Sequence, residues 1–292
     1  MIGIGTAGRP LCSDSTVWPT LVDMATYQKF DWYDDPIYYD IIFDDDTPRE
    51  VAFLERVHER FVDTGGRASS KGRRVLEPAC GTGRLIAALA QRGFRVTGFD
   101  ISEPVLRFAR QRLKEHGLRA RLTPGAMEGF TCTARFDMAH CLVSTFKYLL
   151  TESEARSHLR CIARALQPGG VYVLGFHISE YRSQVRTRER WVSERDGMKV
   201  VCNIQSWPPN RRTRTEQVRS RITVHTRNGL RRYETHWTFR AYSVAQMKQL
   251  LRSVPELEHI ATYNFGYDID QPVQFDGEWL DNVLILRKKK FR

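Results

Sequence analysis

Apolar and polar positions follow two different periods along the chain, and the change of period divides it into parts. From residue 67 to 177, short apolar runs alternate with segments whose apolar residues recur at helical spacing, which predicts parallel strands joined by helices. From 178 to 240, apolar and polar residues alternate along several basic segments, which predicts an antiparallel β insertion. Residues 241–292 return to one helix and two strands, so they complete the core sheet.

The N-terminal part has two compositions. Residues 1–23 mix Gly, Ser, Thr and Pro without a period, which predicts disorder. Residues 24–66 form an N-terminal cap, in which an aromatic and acidic stretch runs into a helix. Thr47 is the predicted N-cap of that helix, and Glu50 completes the spacing of a capping box.

One stretch of the core, Arg74 to Ile101, has the order strand, glycine turn, helix, strand, acid. Gly81 and Gly83 allow a tight turn whose backbone lies close to a ligand, which a Cβ would block. Asp100 follows Gly81 by 19 residues, close to the spacing at which a strand-end acid binds a ribose diol. The stretch therefore predicts a nucleoside-binding βαβ unit.

Two residues indicate which class of nucleotide ligand this unit binds. Ile86 stands where the dinucleotide fingerprint has its third small residue, which disfavours a pyrophosphate. Glu77 ends the first strand, where an anion repels phosphate and attracts an ammonium group. The expected ligand is a nucleoside that carries a cation and no phosphate.

Three segments carry a family resemblance: Glu77-x-Ala-Cys-Gly-Thr-Gly83, Gly98-Phe-Asp-Ile-Ser102, and LQPGGVYVL from Leu166 to Leu174. They resemble class I S-adenosylmethionine-dependent methyltransferases over roughly residues 38–177. The resemblance implies an α/β fold, a Rossmann-like seven-stranded mostly parallel sheet with helices on both faces, and S-adenosyl-L-methionine as the cofactor. It also implies that the glycine turn lies against the methionine part, that Glu77 helps hold its amino group, and that Asp100 binds the ribose.

The cofactor site implied by this resemblance extends beyond those positions. An N-terminal tyrosine is expected over the cofactor, with Tyr38 and Tyr39 both open. The family's adenine-binding acid is replaced by Ala126, which leaves the Met127 backbone and side chain for that contact. The candidate cofactor-binding residues are Glu77, Ala79, Gly81, Gly83, Asp100, Ile101, Met127, Cys141, Tyr38 and Tyr39.

The acceptor site is expected beyond the fourth strand, because ligands of such sheets bind at the carboxyl ends of the strands. Its candidates are Leu142, Ser144, Phe146, Trp191 and Arg240. His177 and Tyr148 are the candidate catalytic bases, although a free amine would need no protein base.

Charge and composition restrict the possible partners, metal sites and cellular location of the protein. The 292 residues carry a net charge of +11, divided as −8 in residues 1–66, +10 in 67–177, +9 in 178–240 and zero thereafter. The basic residues are spread without the signature of an RNA-binding module, so nucleic acid is not the favoured partner. Six cysteines lack metal-ligand spacing, and no metal is expected. No stretch predicts a membrane span or a secretory signal, which predicts a cytoplasmic protein.

These observations leave three hypotheses. The favoured one is a methyltransferase that acts on an N or O atom of a small molecule, with the insertion as a lid or a homodimer surface. The second is an RNA or protein methyltransferase that uses the basic surface. The third is a non-catalytic or NAD-binding protein with the same sheet, although Ile86 and Glu77 argue against NAD.

Overall fold

The computed structural model describes residues 26–63 and 73–290. Within these ranges the chain forms a seven-stranded sheet, a five-stranded sheet and six α-helices. The predicted disorder of residues 1–23 lies outside the described residues.

The seven-stranded sheet confirms the predicted α/β class, because its order is β11-β12-β6-β5-β2-β3-β4. The strands β2 to β6 pair in parallel, whereas β12 runs antiparallel to both β6 and β11. Their bounds are β2 Arg74–Pro78, β3 Arg95–Asp100, β4 Arg121–Pro124, β5 Phe136–Cys141, β6 Leu166–His177, β11 Leu257–Tyr263 and β12 Asp281–Lys288.

Helices cover both faces of this sheet. Successive strand residues point to opposite faces, so Val75 joins the core under α2, α3 and α4, while Leu76 joins the core under α5 and α6. The helices are α1 Ile37–Asp44, α2 Thr47–Phe61, α3 Arg84–Gln91, α4 Glu103–Glu115, α5 Glu152–Ala165 and α6 Val244–Arg252, and a 3-10 turn spans Thr145–Tyr148.

The predicted capping box at the start of α2 is wrong. The helix begins at Thr47, Asp46 occupies the N-cap position, and no side chain caps the helix. The Glu50 side chain instead contacts Arg84 of α3, because a buried guanidinium requires a nearby carboxylate. The short helix α1, which follows Pro36, was not predicted.

The five-stranded sheet has the order β1-β10-β9-β8-β7, and the four strands β7 to β10 pair antiparallel as the alternating pattern predicts. Asp196 and Gly197, both with positive φ, form the tight turn between β7 and β8. One further strand, β1, pairs in parallel with β10 and was not predicted. The bounds are β1 Gln28–Lys29, β7 Thr187–Arg195, β8 Met198–Ser206, β9 Thr215–Thr226 and β10 Gly229–Arg240.

The inner face of this second sheet packs against α1 and the segment before it. Trp32, Ile41 and Phe43 share a buried cluster with Trp191 and Ile222. The second sheet and the N-terminal segment together cover the carboxyl ends of the parallel strands. Among the described residues, no helix is long and apolar enough to cross a membrane.

Candidate active site

The turn between β2 and α3 is held in a conformation that requires glycine. Gly81 and Gly83 have φ values of +53° and +69°. A Cβ on Gly83 would lie 2.8 Å from the Cβ of Ala109, closer than two side chains can approach. The turn therefore brings the backbone at the start of α3 close to whatever lies above the sheet.

Asp100, at the end of β3, fixes this turn from the side. Its Oδ2 accepts a hydrogen bond from the Gly81 N–H at 2.9 Å, and its Oδ1 accepts one from the Ser102 N–H at 2.9 Å. Burial raises the pKa of Asp100, and these backbone N–H groups oppose the rise. Each carboxylate oxygen keeps a lone pair that a ligand hydroxyl can use.

Glu77 is buried with part of its carboxylate unsatisfied. Its Oε2 has no hydrogen-bond partner among the described residues, and its Oε1 lies 3.9 Å from the Nδ1 of His140. Burial raises the pKa of Glu77 well above its usual range, and Arg84 opposes the rise. Burial also lowers the pKa of His140 to about 3, so this imidazole is neutral and does not balance the carboxylate. A buried, unpaired acceptor of this kind is costly unless a ligand donates to it.

A guanidinium lines the same space. Arg84, 6% exposed, donates to Glu50 and to the Oγ1 of Thr47. Burial raises the pKa of Tyr39 to about 12, so its hydroxyl stays protonated as a donor. The phenol of Tyr267 also donates to Glu50, at 3.3 Å, which fixes the carboxylate under Arg84.

These groups surround a first space, the turn cavity. Its walls carry both acceptor groups, such as the Glu77 carboxylate, and donor groups, such as the Arg84 guanidinium. Its lining residues are Tyr39, Glu77, Pro78, Ala79, Cys80, Thr82, Arg84, Leu85, Cys141, Leu142, Val143 and Thr145.

A second space, the aromatic cavity, adjoins the turn cavity. Both spaces share the walls Tyr39, Val143 and Thr145. Val143 has a φ of +55°, a conformation uncommon for a β-branched residue, and this bend lies at the junction. The other lining residues of the aromatic cavity are Trp32, Tyr33, Phe43, Tyr148, Trp191, Ile204, Val218, Trp237 and Phe239.

A buried ionic network ties the second sheet to the core beside these cavities. Glu216 of β9 lies 2.6 Å from the Nζ of Lys147 and 2.5 Å from the Nε2 of His177. The other ring nitrogen of His177 lies 3.0 Å from the Oγ of Ser144. Burial and Lys147 both lower the pKa of His177. Burial alone would raise the pKa of Glu216, but Lys147 and His177 hold it well below its usual range.

Comparison with known proteins decides the family. A family model described as a methyltransferase domain matches residues 75–170, the part that carries the glycine turn and Asp100. Residues 75–170 thus form a methyltransferase domain, as the resemblance to class I S-adenosylmethionine-dependent methyltransferases predicts.

Several individual proteins resemble this chain. It is 32% identical over 106 residues to YqeM of Bacillus subtilis (strain 168), which carries a methyltransferase name, covering 36% of the chain and 43% of YqeM. It is 35% identical over 107 residues to the ubiquinone biosynthesis O-methyltransferase of Azoarcus sp. (strain BH72), covering 36% and 44%. A Geobacillus sp. (strain WCH70) protein, also named as a methyltransferase, is 25% identical over 77% of the chain and 87% of its own length. Most of these curated relatives are thus matched over about half of their length or less.

Solved structures share the fold over nearly the whole chain. An S-adenosylmethionine-dependent methyltransferase from Clostridium acetobutylicum has a TM-score of 0.69 at 18% identity, covering 87% of this chain and 97% of that one. The sugar N-methyltransferase KedS8 from Streptoalloteichus sp. has a TM-score of 0.65 at 18% identity, covering 97% of this chain and 100% of that one. At such identities the likeness describes the fold of this methyltransferase and not its acceptor.

The predicted cofactor residues of the methyltransferase are found in three places. Glu77, Ala79, Cys141 and Tyr39 line the turn cavity, while Gly81, Gly83 and Asp100 form and fix the turn. Ile101 follows Asp100 with its side chain 79% exposed.

Two further cofactor candidates lie outside both cavities. Tyr38 is buried and stacks on Tyr233 of β10 with ring centroids 5.5 Å apart, so of the two tyrosines only Tyr39 faces the turn cavity. Met127 packs against the core beyond β4, and its carbonyl accepts a hydrogen bond from the Nδ1 of His158 at 3.0 Å.

Some of the predicted acceptor and catalytic residues line a cavity, and the others do not. Leu142 lines the turn cavity, and Trp191 and Tyr148 line the aromatic cavity. Four others line neither cavity: Ser144 and His177 belong to the buried network, Phe146 is fully buried in the core, and Arg240 pairs with Glu152 at the end of β10.

The sequence reasoning missed Arg84, Thr82 and most of the aromatic walls. Arg84 carried a signal, because a cation in the first turn of a helix is unfavourable against the helix dipole and requires an acidic partner. Trp32 carried only a weak sequence signal, which is its position in the aromatic stretch before α2.

Proposed function

We propose that this methyltransferase binds S-adenosylmethionine in the turn cavity and transfers its methyl group to an N or O atom of a small molecule in the aromatic cavity. The observation that carries the proposal is the buried, unpartnered Oε2 of Glu77 in a space that opens onto a second cavity. This oxygen requires a donor, and an ammonium group supplies one.

The remaining groups of the turn cavity suit the other parts of the cofactor. Arg84 and the protonated hydroxyl of Tyr39 would hold a carboxylate, so an amino acid end fits between them and Glu77. Asp100 would accept the two ribose hydroxyls through its free lone pairs. The exposed side chain of Ile101, next in sequence, offers an apolar surface to adenine.

When bound, S-adenosylmethionine supplies a methyl group that is already activated by the sulfonium. The protein then has to orient an acceptor lone pair about 3 Å from that carbon and exclude water. Val143 and Thr145 lie at the junction where the two ligands would meet. The covering sheet and Trp32 close the aromatic cavity from the opposite side.

A transfer experiment tests this function. The protein is incubated with S-adenosylmethionine labelled on its methyl group, and with a small-molecule extract, RNA or protein as separate acceptors. We expect label in extractable small molecules, and we expect Glu77→Gln to lose most of the transfer while the exposed control Glu115→Gln retains it. Label that enters only RNA or protein would contradict the small-molecule assignment and favour an acceptor bound to the basic surface.

A further inference from the structure

The aromatic cavity is chemically unusual because no ionisable side chain other than tyrosine lines it. Among the described residues that form its walls, none is Asp, Glu, Lys, Arg or His. Its polar groups are hydroxyls of Tyr33, Tyr39, Tyr148 and Thr145, together with indole N–H groups. The indole of Trp32 is already bonded to the Oγ of Ser220 at 2.7 Å. An acceptor that carries a carboxylate or phosphate at its reacting end would thus lose its hydration without gaining a counter-charge.

The same walls offer no group that can remove a proton from a hydroxyl acceptor. Tyr33 and Tyr148 are hydrogen-bonded to each other at 2.9 Å, and burial raises the pKa of both phenols, which keeps them protonated. His177 lies outside the cavity, 1% exposed, with one ring nitrogen beside Glu216 and the other beside Ser144. An alcohol or phenol acceptor would have to lose its proton without a base.

An amine acceptor needs neither a counter-charge nor a protein base in this cavity. Desolvation disfavours the charged ammonium form, so entry into this cavity releases the amine's proton to water and leaves a free lone pair. The lone pair attacks the methyl carbon, the carbon–sulfur bond breaks, and its electron pair remains on sulfur to give S-adenosylhomocysteine. The positive charge thereby moves from sulfur to nitrogen, where the aromatic side chains of Trp32 and Trp237 that line the cavity can stabilise it.

The shape of the cavity restricts the rest of the acceptor. Aromatic rings form much of the wall: the ring centroids of Trp32 and Trp237 lie 4.8 Å apart in an edge-on contact, and those of Tyr148 and Phe239 lie 4.9 Å apart in another. We propose that the acceptor is a neutral amine nitrogen carried on an apolar, planar body, and that the aromatic cavity selects it against hydroxyl and anionic analogues. This inference rests on the proposed function, because it concerns the second substrate of that reaction.

A binding experiment tests the site with probes that share one naphthyl body: naphthylmethylamine, naphthylmethanol and naphthoic acid. The protein is saturated with S-adenosylhomocysteine, and each probe is titrated while tryptophan fluorescence is recorded. We expect the amine, bound as its neutral free base, to bind about tenfold more tightly than the acid, because the carboxylate would lose its hydration without gaining a counter-charge. We expect Trp237→Leu to weaken amine binding by about 2- to 10-fold, because it removes an aromatic ring that would pack against the naphthyl body. Trp279→Leu is the control, since Trp279 is 45% exposed and lines neither cavity, and it should bind the amine as the unmodified protein does.

A turnover experiment then separates nitrogen from oxygen. With S-adenosylmethionine, the amine should be methylated and the alcohol should not. The pH at which kcat/KM stops rising should follow the basicity of the probe, and it should fall when the less basic naphthylamine replaces naphthylmethylamine.

Any of four results would overturn the inference: equal binding of amine and acid, methylation of the alcohol, no methylation of either probe, or a pH break that stays fixed when the probe changes. Failure to bind S-adenosylhomocysteine is a different result, which would refute the proposed function itself.

Discussion

Replacing Asp100 with Asn tests the proposed ribose contact directly. Both carboxylate oxygens of Asp100 accept backbone N–H groups at 2.9 Å, from Gly81 and Ser102, and each would also accept a ribose hydroxyl. In Asp100→Asn one of these oxygens becomes an NH2 group, which faces a backbone donor and cannot accept from the ribose. The change removes one hydrogen bond to a charged acceptor, about 1.5–3 kcal/mol. The Kd for S-adenosylhomocysteine should therefore rise about 10- to 150-fold.

The assay is calorimetric titration of S-adenosylhomocysteine into the unmodified protein, Asp100→Asn and the exposed control Asp34→Asn. Thermal unfolding of each variant shows whether the turn survives the substitution. An analogue of the ligand without the ribose hydroxyls should bind Asp100→Asn and the unmodified protein with similar affinity. A well-folded Asp100→Asn that binds S-adenosylhomocysteine as tightly as the unmodified protein would refute the reasoning.

Two further predictions concern stability. Gly83→Ala places an alanine at a φ of +69° and against Ala109, so it should cost about 1–2 kcal/mol for the backbone and more for the overlap. In denaturant unfolding, the same substitution in an Ala109→Gly background, which has its own cost of about 0.5–1 kcal/mol inside α4, should show only the backbone cost. Burial lowers the pKa of His140 to about 3 in the folded protein. As pH falls below the ordinary histidine pKa, this imidazole is protonated in the unfolded chain but not in the folded protein, so the free energy of unfolding decreases. Between pH 7 and pH 5 this histidine should remove about 2 kcal/mol. His140→Gln should abolish that loss and the exposed control His116→Gln should not; equal pH dependence in both variants would contradict the assignment.

Local signals were sufficient to predict the centre of the fold. Glycines after an apolar run, a helical period and an acid at the next strand end all lie within Arg74 to Ile101, and each acts through its own backbone neighbourhood. The partner of Arg84 was not predictable in this way, because Glu50 is 34 residues away and meets it only when α2 packs on α3. The same packing explains the failure of the capping box.

Long-range contacts also decided which candidates reach the cavities. Tyr38 and Tyr39 are neighbours in sequence, but a helix turns successive side chains by about 100°, so only one faces the turn cavity while the other packs on Tyr233. His177 does end a parallel strand as predicted, yet Glu216 from the second sheet engages it. The pairing of Gln28 and Lys29 with β10 likewise has no local pattern, since two residues show no period.

The most direct test of the central claim is parallel calorimetric titration of the purified protein with S-adenosylmethionine, S-adenosylhomocysteine and NAD. Glu77, Asp100 and the turn fixed by Gly83 predict micromolar binding of both adenosyl ligands and no binding of NAD. Binding of NAD, or binding of none of the three by folded protein, would contradict the assignment of the turn cavity.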